Sequence, residues 1–126
     1  MSIPISHDDL KLLVEVGMLA ATRGEITAAK AIFSAIEHVR PEAAASYAGP
    51  AVGYLFRGRP ADAAEQLRRG LAKVPPDDRQ PLQVLLGLAL QLDACNAESQ
   101  KVLRGAGDHP IAAALLADSH AAPAPL

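Results

Sequence analysis

The chain of 126 residues has no tryptophan, two tyrosines, two phenylalanines and one cysteine, and its twelve Lys and Arg are nearly balanced by fourteen Asp and Glu. Each scarcity removes a class of protein. With Cys95 alone an internal disulfide is impossible, and such cysteine usage fits a reducing compartment. A formal charge of −2 offers no overall attraction for nucleic acid or for an anionic membrane surface, so neither is expected as a partner. The longest strongly apolar run, "VLLGLALQL" from Val84 to Leu92, is far short of the ~20 residues that a spanning helix needs. The opening "MSIPISHDDL" lacks a basic stretch followed by an apolar core, so it does not read as a secretory leader, and a cytoplasmic location is expected.

What remains is rich in alanine and leucine, and half of the residues are apolar. That composition favours helices packed through small side chains and predicts little strand. The length suits one domain that buries a core without metal or disulfide.

The strongest internal signal is a repeat. "TRGEITAAKAIFSAIEHVRP" (22–41) recurs 34 residues later as "FRGRPADAAEQLRRGLAKVP" (56–75), with Gly24 and Gly58, Ala29 and Ala63, and Pro41 and Pro75 in register. Around these anchors apolar residues fall at helical spacing, as in Leu12, Leu13, Val16, Leu19 and Ala20, then Ile32, Phe33, Ile36 and Val39. Each unit therefore reads as a helix, a glycine turn, a second helix and a proline stop. Units are expected over about 10–43, 44–77 and 80–110, the third after a two-residue expansion in "PPDDRQ", where Ala94 stands for the turn glycine and Ser99 for the packing alanine. A short closing helix over 110–119 would cover the end of the stack and complete a single domain, 1–119. The Ala-Pro alternation of 120–126 cannot continue a helix and predicts a disordered tail. Pro50, inside the first helix of unit two, predicts a bend there.

A helix-turn-helix of 34 residues with this punctuation resembles the tetratricopeptide repeat family. Gly17, Ala20, Gly24, Ala29, Phe33 and Pro41 in unit one, and Tyr54, Gly58, Ala63, Leu67 and Pro75 in unit two, fall where that family places its signature residues. The resemblance implies an all-α solenoid of three units plus a capping helix, with the first helix of each unit lining a concave groove. Its inward positions would be Val14 and Met18, then Val52, Leu55 and Phe56, then Val84, Leu88 and Leu92, while Val16, Phe33, Leu67 and Leu86 would carry the core. Only Lys11 and Gln91 are polar at such positions, so the Lys and Asn clamp with which some members grip a C-terminal carboxylate is not expected.

No catalytic constellation accompanies the repeat. His7, His38, His109 and His120 are scattered, Cys95 has no cationic neighbour in sequence, and neither phosphate-binding glycine pattern occurs. An enzyme, a metal and a cofactor are therefore not expected, and the acid pairs in "HDD" and "PDD" read as helix caps. Arg57, Arg59, Arg68, Arg69, Lys73 and Arg79 make the middle unit locally basic beside an acidic first unit carrying Asp8, Asp9, Glu15, Glu25, Glu37 and Glu42. That asymmetry reads as a solvated face or as a contact steered by opposite charge.

An apolar groove suits the apolar face of a helix or an extended hydrophobic segment of another protein. Eight such side chains, fully covered, would contribute roughly 12–24 kcal/mol gross, against about 4–15 kcal/mol for association. Among small members of the family the chain looks most like those of bacterial type III secretion systems. That implies a cytoplasmic chaperone or co-chaperone that holds a needle, translocator or apparatus subunit, alone or with a second small chaperone as a homo- or heterodimer. The rival expectation is a self-associating assembly adaptor with no client to release.

Overall fold

Three turns set the architecture. Gly24, Gly58 and Ala94 all have positive φ, at 77°, 68° and 61°, and each closes a helix onto the next. Glu25 N–H donates to the Ala20 carbonyl, Arg59 N–H to Tyr54 and Cys95 N–H to Leu90, the same bond in all three. The computed structural model describes residues 5–120; the tail expected over 120–126 lies, beyond His120, outside them. Among the described residues there are seven α-helices and no strand: α1 His7–Thr22, α2 Ile26–Val39, α3 Ala45–Phe56, α4 Pro60–Leu71, α5 Arg79–Leu92, α6 Asn96–Gly105 and α7 Pro110–His120. A 3-10 turn at Pro76–Asp78 precedes α5 and accommodates the two extra residues between the second and third turns.

Helices pair as hairpins, α1 with α2, α3 with α4 and α5 with α6, and each hairpin packs on the next through α1–α3, α2–α3, α3–α5 and α4–α5 contacts; α7 rests on α5 and α6. The odd helices touch one another in series. By contrast, no Cα of α2 lies within 8 Å of α4, nor any of α4 within 8 Å of α6. The odd helices thus form a continuous layer, and the even ones stand apart on the other side. Long side chains span those gaps: Arg69 Nη2 lies 2.6 Å from Glu37 Oε1, and Arg68 Nη2 lies 2.6 Å from Glu98 Oε1. Glu37 of the acidic first unit thus meets Arg69 of the basic second, and Arg68 ties the second unit to the third, in pairs of a kind that contribute about 0–1 kcal/mol each.

Hairpins close tightly because small residues stand at the crossings. A methyl group on Gly17 would lie 2.8 Å from Phe33 Cζ, and one on Gly49 would overlap the same ring, so Phe33 fills the space left by glycines on both α1 and α3. Ala63 and Leu67 are fully buried, as are Tyr47, Leu82 and Ala89 around them. In the third hairpin Ser99, expected as a departure from alanine, is fully buried and donates its hydroxyl to the Gly87 carbonyl at 2.6 Å. The polar substitution is thereby satisfied at the close contact.

Several sequence expectations need correction. Val16, expected in the core, is 45% exposed; α1 packs through Leu10, Gly17 and Ala21 instead. The cap of α1 is Ser6, whose Oγ accepts from Asp9 N–H at 3.1 Å, and Asp78 at the start of α5 makes no side-chain cap bond. Asp8 and Asp9 lie in the first turn, where the helix dipole favours negative charge. The helix expected to persist at Pro50 is present, since α3 runs on through the proline and is four residues shorter than α1. Its start is tied by Ser46 Oγ to the Arg40 carbonyl at 2.9 Å and by Tyr47 Oη to the Pro41 carbonyl at 2.6 Å. Burial, with the Glu37 carboxylate adding to it, raises the Tyr47 phenol above its ordinary pKa.

Two substitutions test this geometry. A side chain in the left-handed region costs about 1–2 kcal/mol, partly offset by the extra freedom of glycine in the unfolded chain. Ala94→Gly should accordingly stabilise by about 1 kcal/mol and raise the melting temperature by roughly 3–6 °C. Gly87→Ala would drive a methyl group into Leu103, which is fully buried and has no room to swing away. A loss of about 1–3 kcal/mol is expected by chemical denaturation.

Candidate functional site

The residues expected to line a groove do not share one environment. On α1, Val14 and Met18 are half-buried and pack against Leu10, Phe33 and Ile36. Val14 also lines, with His7, Leu10, Lys11, Glu15 and Ala45, an open and mainly apolar depression of about 360 Å³ on the α1–α3 side. On α3, Val52 and Leu55 are half-buried, and Phe56 at the last turn is 67% exposed. On α5, Leu88 is half-buried and Leu92 is 60% exposed.

Val84 belongs to the core. It is 6% exposed and packs with Leu103, Ala106 and Ala112, flanked by Leu115 and Leu116. The cause is α7, which returns over α5 and α6 and covers this position. The sequence leaves open that the last helix, and not a partner, covers the inward stripe, and at Val84 the last helix does so.

Phe56 and Leu92 stand at the same place relative to the turns that follow them, two residues before Gly58 and Ala94. Each is a large apolar side chain held at a helix end beside a rigid left-handed turn, so its position is fixed while its surface is bare. Between Leu88 and Leu92, Gln91 contributes a buried Oε1 with no hydrogen-bond partner, a local cost of about 1–3 kcal/mol. Lys11 is exposed. The layer therefore presents apolar contacts with few polar anchors.

A second bare surface escaped the reading by units. Leu12, Leu13, Val16 and Leu19 of α1 are 59%, 37%, 45% and 52% exposed. Their counterparts in the third unit, Leu82, Leu86 and Ala89, are 0%, 4% and 0% exposed because α3 and α4 pack on α5. Among the described residues α1 contacts only α2 and α3, so the side chains patterned for stacking face outward. The signal was present as an apolar stripe; what it lacked was a covering neighbour.

Among the described residues no group of three His, Cys, Asp or Glu side chains is placed to hold a metal ion. Cys95 is half-buried and its thiol faces the Asp93 carbonyl and carboxylate, at 3.7 and 3.8 Å. No described helix is long and apolar enough to cross a membrane. Comparisons with protein-family models, with curated proteins and with solved structures each return no match.

The exposure of the layer divides its residues into tolerant and intolerant positions. Phe56→Glu and Leu92→Glu, singly or together, should leave the thermal melt within a few degrees of the parent, since both new carboxylates reach water. Val84→Glu should destabilise by about 3 kcal/mol or more, because it buries an unpaired charge beneath α7.

Proposed function

We propose that this chain is a tetratricopeptide-type protein-binding module, and that it acts as a cytoplasmic chaperone or co-chaperone of a bacterial type III secretion system. Its groove would take an apolar helical or extended segment of an exported or apparatus subunit. The observation that carries this reading is the pair Phe56 and Leu92, matched in position on successive odd helices and exposed at 67% and 60%. The serial contact of α1, α3 and α5, with the even helices standing apart, supports a layer curved toward the odd side. The 34-residue register and its left-handed turns support the repeat assignment.

With Val84 removed from the set and five of the remaining seven already half-buried, covering the groove would contribute about 7–14 kcal/mol gross. Association costs of about 4–15 kcal/mol leave modest net affinity. Modest affinity suits a holder that must release its client to an export machine, whereas a permanent structural joint calls for more. An exported subunit with an exposed apolar face would otherwise aggregate, which supplies the reason for covering it.

The test is co-purification from the native host. Tagged parent protein should bring down a small secretion substrate or apparatus subunit, identified by mass spectrometry, and the Phe56→Glu, Leu92→Glu double variant should lose it while melting normally. Undiminished capture by the folded double variant would overturn the groove assignment.

A further inference from the structure

The bare stripe of α1 is flanked by an acid at one end and a base at the other, Asp9 and Arg23. At about 100° per residue, Asp9, Leu12, Leu13, Leu19 and Ala20 fall within about 60° of the direction of Val16, and Arg23, the capping residue, follows just past the last turn. As on any helix, reversal about the central residue exchanges these positions in pairs, and what is particular to this chain is the side chains that the exchange sets together. Asp9 exchanges with Arg23, Leu12 with Ala20 and Leu13 with Leu19, each pair lying equally far to opposite sides of the stripe's midline. Apolar positions fall on apolar ones, and the acid falls on the base.

Side chains so placed are compatible with a two-fold axis through Val16, and the opposite charges of Asp9 and Arg23 favour one. In a contact between two identical surfaces, if residue i meets residue j of the other copy, then j must meet i. We infer that two copies of this chain pair through antiparallel α1 helices, with Val16 on Val16, Leu13 on the partner's Leu19, Leu12 on the partner's Ala20, and Asp9 beside the partner's Arg23. Asp9 and Arg23 are exposed and neither takes part in an ion pair among the described residues. Both remain available to the second copy.

The face is also free of obstruction. α2 and α3 pack on the opposite side of α1, against Leu10, Gly17 and Ala21. Val14 and Met18 point to that opposite side, so a dimer formed on the stripe leaves the groove open. A second copy would do for α1 what the preceding hairpins do for α3 and α5. This pairing is independent of what the groove holds.

Sedimentation equilibrium of the purified chain alone tests the inference, because no client is then present. A particle of twice 13.1 kDa should form with increasing concentration; a monomer at every concentration overturns the proposal. Val16→Glu, which sets two carboxylates face to face on the axis, should weaken the dimer at least about 100-fold. Helicity should be unchanged, because Val16 is exposed in the single chain. A dimer indifferent to this substitution must use another surface and also overturns the proposal. The register is tested by charge exchange. Asp9→Arg and Arg23→Asp should each weaken the dimer, and the two together in one chain should recover most of the loss, with circular dichroism confirming that all three fold. Failure of the double exchange to recover affinity in a folded protein rejects the antiparallel register.

Discussion

Close approach of two helix backbones is the constraint on which the rest of this molecule depends. With four aromatic residues in the whole chain, the core is filled by shortening the distance between helices, and that distance is set by what stands at each crossing. Phe33 is the instructive case. Its ring occupies the room left by Gly17 on α1 and by Gly49 on α3, so one side chain joins its own hairpin to the next. Leu103 lies over Gly87 in the same way, and Tyr47 over Gly70. Dispersion contacts of this kind are weak one by one and effective only when surfaces interlock.

Given that approach, the turns have little freedom. The chain must reverse in two or three residues, and a residue with positive φ at the centre achieves it. Gly24 and Gly58 have nothing within 4 Å of a would-be methyl group, so it is backbone conformation and not crowding that selects glycine there. Ala94 adopts the same conformation against its preference. The third hairpin keeps the geometry of the others because its packing, with Ser99 bonded to Gly87 and Leu103 fully buried, holds the turn in place.

Polar ties then sort the two sides of the stack. Arginines from α4 reach Glu37 on α2 and Glu98 on α6, which draws the charged groups to the even side. The odd side is left with Val52, Leu55, Phe56, Leu88 and Leu92 and few hydrogen-bonding groups. Its separation from the α1 stripe matters for the proposed roles: one surface faces along the odd layer, and the other faces out from the first hairpin. A holder with two distinct apolar faces can bind a client with one and a second copy with the other.

Much of this was legible in the residues themselves. The 34-residue spacing, the turn positions and the identity of the crossing residues are local properties, set by contacts within a helix or between neighbours in a hairpin, and Gly24, Ala63 and Leu67 display them directly. Exposure is not local. Leu12, Val16 and Leu19 carry the apolar spacing of a buried stripe, and only the stack reveals that no described helix covers them. Val84 looks in sequence like an open groove position, and only the return of α7 over α5 buries it. Ser99 reads as a flaw until the Gly87 carbonyl is found 2.6 Å away. A sequence records which surfaces are suited to burial through their apolar period; which of them are buried depends on the elements that arrive from elsewhere in the chain, and that is decided by the tertiary structure.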